Sequence, residues 1–488
     1  MQRQARFSRR GFIRGAALSG VAILVAACAP SAPSPTPAAK SEAKPTVPAA
    51  ASPTAKVEAK PTTATQPTAQ PTAAAKAESK PAAGAVTVEF WVDPAEGKAE
   101  AMWQKAIDEF QQKNPNIRPK VVVVPYSDAE NKTLTAIAGN VPIDLVYVHP
   151  MWNATFAVKG VTVALEDRMA RDMTKAEIDD FYLGAITYFR WAGKTYGLPV
   201  YSGPNTFYYN KELLGKAGLE DPWELYKKGD WTIKKHDEFV AKLSTGTGAT
   251  RVYGSSGISR SIRNQAGWIW GYGGDVWSED FKQTLIATDK SLEAWEYLAS
   301  LVKKGYAPTP AEGQALPGGS LGGFNSGRIA IYYGIRQSVY QFKEDGKWGV
   351  VPIHKMPDGK EYTRDGPNAL GLTKLSKNPD AAWTWMKFAI TRGVEWLMEA
   401  RATAPTTRTL AKSQTWQKSL LPWENAEVYD IAAKQVETRV LAHLPGMSEL
   451  DRAIQAAFDK VVLGEATAKQ AMTEAKPKVE AILKEKMG

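Results

Sequence analysis

The residues of this chain that could carry out chemistry are few and scattered. The four histidines, at 149, 236, 354 and 443, show no paired spacing, so a zinc or non-haem iron site has no support. No Walker loop or Rossmann GxGxxG motif is present, which disfavours an ATPase. A glycosidase needs only two carboxylates, and any chain of this size can supply them. The sequence therefore predicts no metal and no cofactor, and it leaves a glycosidase open.

The N-terminal segment has the pattern of an export signal with a lipid-attachment site. Five arginines and no acid are followed by a short run of small and apolar residues, too short to span a membrane permanently. Residues 8–14 resemble a twin-arginine signal, and residues 25–28 resemble a bacterial lipobox. The single cysteine, Cys28, excludes an intrachain disulfide, and its thiol can carry a diacylglycerol. We predict a signal peptide over 1–27 and lipidation at Cys28.

Residues 28–85 have the composition of a disordered linker. They contain 11 of the 31 prolines and no aromatic residue, so they cannot bury enough apolar surface to offset the entropy of ordering. The net charge of +10 also belongs mostly to these first segments: 1–27 contributes +5 and 28–85 contributes +3, which leaves +2 for the remainder. A nearly neutral body argues against nucleic-acid binding.

The body from residue 86 onward is too long for one hydrophobic core, because single cores stop growing near roughly 250 to 300 residues. Its first part alternates strands with helices, which is typical of a parallel α/β sheet. Apolar spacing predicts strands at Val86–Trp91, Ile117–Val124 and Asp144–Val148, and helices from Ala99 to Phe110, near Lys132–Ala138 and after Trp152.

Further along the chain the same patterns predict a hairpin, two strands, several helices and a long loop. The expected elements are a turn at Trp191–Thr195, a strand at Asn205–Asn210, a helix at Lys211–Ala217, an N-cap at Thr232, a helix at Leu292–Lys303, a Gly/Pro-rich loop at Ala307–Gly323, a strand at Arg328–Tyr333 and mostly helix after Pro379.

Six stretches follow one another along the body: VTVEFWVDP (86–94), TAIAGNVPIDLVYV (135–148), FAVKG (156–160), GKTYGLPVYSGPNTFYYNKELLGKAGL (193–219), FNSGRIAIYYG (324–334) and ALGLTKLSKNPDAAWTWMKFA (369–389). Their order and spacing resemble the family 1 extracellular solute-binding proteins, the sugar-receptor relatives of maltose-binding protein. The resemblance covers nearly all of residues 86–488.

The resemblance implies an α/β, two-lobed, periplasmic-binding-protein-like fold with a ligand cleft between the lobes. The implied N-lobe comprises 86–200 with about 367–405, and the implied C-lobe comprises about 205–365 with 408–488. Segments that cross between the lobes are then expected near Tyr201–Phe207, Arg364–Leu370 and Pro405–Arg408.

A sugar site needs flat apolar rings for the sugar faces and donors and acceptors for the hydroxyls. The body holds all 16 Trp, of which Trp103, Trp383 and Trp385 lie at helix positions and are better explained as core. The resemblance implies ligand contacts at strand ends, in loops and in the crossings. These are Trp91, Asp93, Tyr126, Asp128, His149, Trp152, Tyr201, Ser202, Trp268, Trp270, Tyr272, Tyr333, Arg336, Asn368 and Arg408.

Some roles stay open. Trp268 and Trp270 share one face if their segment is extended, but diverge by about 200° on a helix. Arg408 can instead pair with a carboxylate at a hinge. Pro150-Met151-Trp152 replaces the polar residues often found there in the family, which indicates a more apolar subsite.

The function implied is a non-enzymatic, extracytoplasmic sugar or oligosaccharide receptor that delivers its ligand to the permease of an ABC importer. It would act as a monomer held by lipid at the outer face of the cell membrane. Two alternatives remain: a lipid-anchored carbohydrate-active enzyme, and a receptor for a non-sugar solute such as a peptide, a polyamine or a phosphate ester.

Overall fold

The computed structural model describes residues 84–93, 99–258 and 260–487. The predicted signal peptide, Cys28 and the predicted linker up to residue 83 lie outside the described residues. Within the described part, no helix combines the length and the apolar character that crossing a membrane requires.

The strands of the described part are β1 (Val86–Val92), β2 (Ile117–Val123), β3 (Leu145–Val148), β4 (Arg190–Trp191), β5 (Lys194–Thr195), β6 (Leu198–Tyr201), β7 (Thr206–Asn210), β8 (Tyr253–Ser255), β9 (Ile329–Gly334), β10 (Trp348–Val351) and β11 (Asn368–Leu372).

The α-helices are α1 (Ala99–Lys113), α2 (Tyr126–Ala138), α3 (Pro150–Val158), α4 (Glu166–Asp172), α5 (Lys175–Asp180), α6 (Leu183–Thr187), α7 (Lys211–Lys216), α8 (Pro222–Lys228), α9 (Ile233–Leu243), α10 (Ile262–Gly271), α11 (Asp289–Lys303), α12 (Pro310–Ala315), α13 (Gly319–Asn325), α14 (Pro379–Phe388), α15 (Val394–Glu399), α16 (Arg408–Ala411), α17 (Gln414–Ser419), α18 (Ala426–Thr438), α19 (Met447–Val462) and α20 (Ala468–Met487).

The first sheet has the strand order β2-β1-β3-β11-β6, and we call it and the helices packed on it the first lobe. β1 runs parallel to β2 and β3, whereas β11 runs antiparallel to β3 and β6. Phe90 points from β1 into the core, where its ring lies 5.4 Å from Trp103 and 5.1 Å from Trp385. Both tryptophans are fully buried, which confirms that they belong to the core.

The second sheet has the strand order β10-β7-β9-β8, and it defines the second lobe. β7 is antiparallel to both of its neighbours, and β8 is parallel to β9. Phe207 points from β7 into the core and stacks on His236 and His354, at centroid distances of 5.0 and 5.5 Å. α19 packs against this lobe, since Phe458 lies 5.1 Å from Trp295 of α11.

The chain passes between the sheets in two extended segments, 202–205 and 352–367, which form an isolated bridge between Pro204 and Asp365. A third segment joins them, because Ala404 N–H donates to the Ser202 carbonyl over 2.8 Å. These paths lie close to the three crossings that the resemblance implied. The exact lobe boundaries stay a prediction.

Most of the predicted helices and strands are present, but one predicted loop and two predicted helix starts are wrong. The predicted loop Ala307–Gly323 is wrong, because it contains α12 and the start of α13; Thr309 and Glu312 form a capping box that starts α12. α2 begins at Tyr126, six residues before the predicted start. α3 begins at Pro150 and not after Trp152, because proline suits the first helical position and His149 precedes it.

Candidate functional site

A narrow cleft lies where the two lobes meet. Tyr188 of the first lobe faces residues of α10, β9 and the crossing segment across it, and Leu441 closes one side. The residues lining this interlobe cleft are Tyr188, Arg263, Asn264, Gly267, Trp268, Trp270, Tyr333, Tyr362, Thr363, Arg364 and Leu441. The free volume between them is about 10 Å³, roughly the room that one water molecule needs. A saccharide can enter this cleft only if the lobes move apart.

A larger groove opens beside the cleft, also between the lobes. α2 and α3 of the first lobe form one wall, and the start of α19 forms the other. Its volume is about 640 Å³, within the range of small-molecule sites. Two hydrogen bonds cross at this groove: Gly446 N–H donates to Thr155 Oγ1 over 3.0 Å, and Ser448 Oγ donates to Glu130 Oε2 over 2.8 Å. Both are contacts that lobe separation would break.

Tyr126 and Trp152 form an aromatic pair in the wall of the groove. Their rings are stacked, with centroids 5.3 Å apart and an angle of 28° between planes. Trp152 is buried and also contacts Tyr147, whereas Tyr126 is 49% exposed. A rigid buried ring backing an exposed ring gives a flat platform, which is the surface that a sugar ring requires.

His149 connects this aromatic pair to the cleft. Its ring lies 5.0 Å from the Tyr126 ring, and its Nε2 lies 2.6 Å from a terminal nitrogen of Arg263 across the lobe boundary. Burial, and then the charge of Arg263, lower the pKa of His149 well below its ordinary value, so the imidazole is neutral. A neutral imidazole has one acceptor nitrogen. Both ring nitrogens face donors, since the Met151 N–H lies 3.3 Å from Nδ1. Because a guanidinium can only donate and its contact is the shorter one, we assign the acceptor lone pair to Nε2.

Trp268 and Trp270 lie on α10, so the helical alternative holds and the extended one is wrong. Both nevertheless border the cleft, and both are buried. Trp268 packs edge-to-face on Tyr333, with centroids 5.3 Å apart. Trp270 donates from Nε1 to Asp275 over 3.0 Å and lies under the guanidinium of Arg439. These contacts fix the rings, and they make each tryptophan a packing residue as well as a cleft residue.

Residues 362–364 of one crossing segment line the cleft, and a hydrogen-bonded cluster joins the crossing segments next to them. Ser202 Oγ and Gly203 N–H both donate to the carboxylate of Asp365, over 2.8 and 2.6 Å. Tyr201 pairs with Asn368 in the register of β6 and β11. Asp93 lies near these residues, since burial and then its negative charge raise the pKa of Tyr201. The structure thus brings together Asp93, Tyr201, Ser202 and Asn368, all four of which the sequence singled out.

The structure places the other predicted site residues elsewhere. Asp128 lies on the exposed side of α2 and pairs with Lys132 over 3.2 Å. Trp91 bonds to Glu89 within β1, over 3.0 Å. Tyr272 ends α10 and packs on Tyr297. Arg336 and Arg408 lie outside the cleft, where each donates hydrogen bonds to main-chain carbonyls and packs against aromatic rings.

Arg336 is fully buried and pairs with Glu424 at 2.5 Å, and its guanidinium lies 5.4 Å from the Trp416 ring. Arg408 donates to the carbonyl of Phe181 over 2.7 Å and lies over the ring of Tyr182. Both arginines therefore tie surrounding segments together. Neither borders the interlobe cleft or the groove.

Sequence reasoning missed Arg263, Arg364 and Asp365, and it gave no role to Tyr188 and His443, whose rings stack at 4.8 Å. These residues come from four distant segments, and no single stretch marks them. One signal was available: Arg263 lies in a helix that is buried on all sides. A charged side chain is rarely buried there unless it has a partner or a binding role.

Within residues 84–93, 99–258 and 260–487, no three His, Cys, Asp or Glu side chains are grouped so that they could hold a metal ion. The cleft offers aromatic faces, an amide, a hydroxyl and guanidinium groups, and the groove adds carboxylates and lysine ammonium groups. Such a set suits the reversible binding of a polar solute.

The exposed ring of Tyr126 gives a direct test of the groove. Tyr126→Ala is expected to weaken saccharide binding by about tenfold or more, because it removes the stacking face, while unfolding changes little. Calorimetric titration and a melting curve check both effects. A matched control is Tyr226→Ala, since Tyr226 stacks on Trp223 at 5.6 Å outside the groove. Equal losses of affinity in the two variants would remove Tyr126 from the site.

The chain is similar to binding proteins of several bacteria. It is 24% identical over 411 residues to a protein of Brucella abortus described as a binding protein, which covers 82% of this chain and 94% of that protein. It is 24% identical over 320 residues to the arabinooligosaccharide-binding protein of Bacillus subtilis, which covers 63% of this chain and 70% of that protein. It is 26% identical over 307 residues to a maltooligosaccharide ABC transporter solute-binding lipoprotein of Streptococcus pneumoniae, which covers 61% of this chain and 67% of that protein.

The same fold occurs in solved structures. An ABC substrate-binding protein from Listeria monocytogenes, in complex with cycloalternan, superposes with a TM-score of 0.71 at 22% identity and covers 81% of this chain and 98% of its own. The fold is accordingly α/β and two-lobed, as predicted. The family described as bacterial extracellular solute-binding protein matches residues 105–422, which is more than half of the chain. This chain therefore belongs to the bacterial extracellular solute-binding proteins.

Proposed function

We propose that this chain is the saccharide receptor of an ABC importer and that it binds its ligand between the lobes. The observation that carries the proposal is the stacked pair Tyr126 and Trp152 in a groove of about 640 Å³ to which both lobes contribute. The buried His149 lies between the groove and the narrow cleft, because its ring contacts Tyr126 and its Nε2 contacts Arg263. One sugar ring of an oligosaccharide would stack on the aromatic pair, and the next sugar unit would reach toward the crossing segments. The similarity to oligosaccharide-binding relatives supports this ligand class.

The geometry of the crossings suits hinge motion. Only a few segments join the lobes, and the contacts at the cleft and groove include hydrogen bonds, such as Gly446 to Thr155 and Arg263 to His149, and the stacked rings of Tyr188 and His443. A ligand that touches both lobes binds the closed arrangement better than the open one, so it shifts the population toward closure. The permease of the importer would then bind the closed form of the receptor.

We expect saccharide binding to reduce the radius of gyration of the purified chain. The reason is that ligand contacts with both lobes favour closure by their differential affinity. Small-angle X-ray scattering across a titration with maltotriose and arabinotriose measures the change, and calorimetry on the same samples gives the affinity. An unchanged scattering profile at saturation contradicts the closure mechanism, and the absence of binding by any saccharide contradicts the proposed function.

A receptor returns its ligand unchanged, and this separates it from the alternative of a carbohydrate-active enzyme. The run Gly318–Gly322 matches the GxSxG pattern of serine hydrolases. However, Ser320 lies in the first turn of α13, and the surface groove that it borders contains no histidine among its lining residues. A nucleophilic serine needs an adjacent base. Chromatography of oligosaccharides after long incubation with the chain is expected to show no products.

We propose further that the chain is anchored by lipid at Cys28 on the outer face of the cell membrane. The export signal and lipobox in the sequence, together with a lipoprotein among the relatives, support this. Cys28→Ser is expected to move the protein from the membrane fraction to the soluble exported fraction without changing saccharide affinity, because the thiol is the attachment point. Fractionation and immunoblotting check this. Membrane retention of the Cys28→Ser variant contradicts the anchor.

A further inference from the structure

Two arginine side chains point into the interlobe cleft from adjacent elements. Arg263 comes from α10 and is only 7% exposed, and Arg364 comes from the crossing segment and is partly buried. Arg263 contacts His149 at 2.6 Å and the Asp365 carbonyl at 3.4 Å, while its Nε has no hydrogen-bond partner. Arg364 donates to Asn264 Oδ1 over 2.5 Å and to the Asp365 carbonyl over 3.2 Å. All of these acceptors are neutral.

Among the residues that the structure describes, no carboxylate lies within ion-pair distance of either guanidinium. Two acidic side chains near the cleft accept hydrogen bonds from other groups. Asp365 accepts from Ser202 and from Gly203, and Asp451 accepts from the Ile262 N–H over 2.7 Å. By contrast, the buried Arg336 has Glu424 as its partner. The two guanidinium groups in the cleft therefore form no direct ion pair, and the fold offsets their charge only at longer range, through Asp365 for Arg364 and Asp451 for Arg263.

A buried cation without a counter-charge is costly, and proteins normally pair such groups. Burial, and then repulsion from Arg364, lower the pKa of Arg263 to about 10. The neighbouring imidazoles of His149 and His443 supply no counter-charge, because an imidazole is either neutral or cationic. Burial, and then Arg263, lower the pKa of both groups, so they are neutral and add no further positive charge. A neutral sugar could accept hydrogen bonds here but would leave the charge unpaired. An oxyanion of the ligand would remove the cost.

We propose that Arg263 and Arg364 form an anion subsite and that the transported solute is an acidic saccharide, carrying a carboxylate or a phosphate ester. The proposal rests on the saccharide function proposed above. Planar guanidinium groups bind carboxylate and phosphate oxygens with two parallel hydrogen bonds, which fits both sources of negative charge. The acidic group lies in the cleft, and the neutral part of the ligand extends along Tyr126 and Trp152 in the groove.

The experiment compares matched probes by calorimetric titration of the full chain. The pairs are trigalacturonate with galactotriose, and glucose 6-phosphate with glucose; glycerol 3-phosphate and acetate serve as anions without a sugar ring. We expect the acidic member of at least one pair to bind about tenfold tighter or more than its neutral partner. If only trigalacturonate binds more tightly than its neutral partner, the acidic group of the solute is a carboxylate. If only glucose 6-phosphate does, the acidic group is a phosphate ester.

The variants Arg263→Gln and Arg364→Gln are expected to abolish the preference. The unliganded Arg263→Gln protein is expected to melt at the same or a higher temperature, because an unpaired buried charge has been removed, so lost affinity cannot be attributed to unfolding. Arg392→Gln is the matched control, since Arg392 already pairs with Glu109 and Glu395 in the first lobe, and it is expected to keep the preference.

Each other outcome is decisive. If neutral saccharides bind as tightly as their acidic partners, or if both arginine variants keep the preference, the anion subsite is overturned and the saccharide receptor stands. If glycerol 3-phosphate or acetate binds and no saccharide does, the subsite stands and the saccharide function is overturned. If no probe binds, both proposals are overturned.

Discussion

Replacing Glu424 with alanine is expected to lower the free energy of unfolding by about 3 to 5 kcal/mol. The side chains of Glu424 and Arg336 are both fully buried, 2.5 Å apart. Glu424 also accepts from Tyr429 Oη over 2.6 Å and from the Leu421 N–H over 3.1 Å. The substitution leaves the Arg336 guanidinium buried without a counter-charge and orphans two donors. Chemical denaturation monitored by circular dichroism measures the loss.

Glu344→Ala is the matched control for this prediction. Glu344 is about half exposed and pairs with Arg401, so solvent screens the pair and its loss is expected to cost less than about 1 kcal/mol. The combined change Arg336→Met with Glu424→Leu is expected to recover most of the stability, because it removes both charges from the interior. Saccharide affinity is expected to stay unchanged in Glu424→Ala. Similar destabilisation by the buried and the exposed glutamate variants would contradict the buried-charge explanation.

Acidification from pH 7.5 to 5.5 is expected to destabilise the body strongly. Burial is the main cause that lowers the pKa of His149, His354 and His443 well below the ordinary value of 6.5. As the pH falls through 6.5, the unfolded chain takes up protons at these three positions while the folded chain does not, so unfolding becomes more favourable. Each group contributes up to about 1.4 kcal/mol per pH unit, and the three together up to about 4 kcal/mol.

The buried acids oppose this trend. Burial raises the pKa of Asp365 and Asp451 above the ordinary value of 3.8, so their protonation in the folded state adds stability as the pH falls toward that value. Denaturant titrations between pH 7.5 and 5.5 cover the range in which unfolded histidines take up protons. His354→Phe keeps the stacking on Phe207 and is expected to reduce the slope by about a third. A flat stability profile between pH 7 and 6 would count against neutral buried histidines.

Much of the fold could be predicted because the spacing of apolar residues within a single helix or strand indicates that element without knowledge of its neighbours. The apolar face of α1 and the alternation in β1 were readable, and both elements begin at the expected residues. The loop predicted before β9 was wrong because many glycines and prolines obscured the capping box at Thr309. Gly318 and Gly319 adopt positive φ angles, so part of that glycine content serves a tight turn between two short helices.

The site was harder to predict than the fold, because it is assembled from distant segments. The residues at strand ends, such as Tyr126, His149 and Ser202, were identified through family resemblance. Arg263 and Arg364 are 101 positions apart and lie together only because the crossing segment runs under α10. No spacing rule brings them together. Arg336 was expected at the site because it follows β9, yet its side chain turns toward Glu424.

The position of β11 in the first sheet delays strand pairing during synthesis of the chain. β11 lies between β3 and β6, yet it follows β3 by about 220 residues along the chain. At a synthesis rate of roughly 5 to 20 residues per second, β3 waits about 10 to 45 s for its partner, with one edge unpaired. An unpaired edge of Leu145–Val148 is a template for aggregation. The nascent first lobe therefore depends on protection until most of the chain has been made, and we expect its yield in cells to respond to chaperone supply.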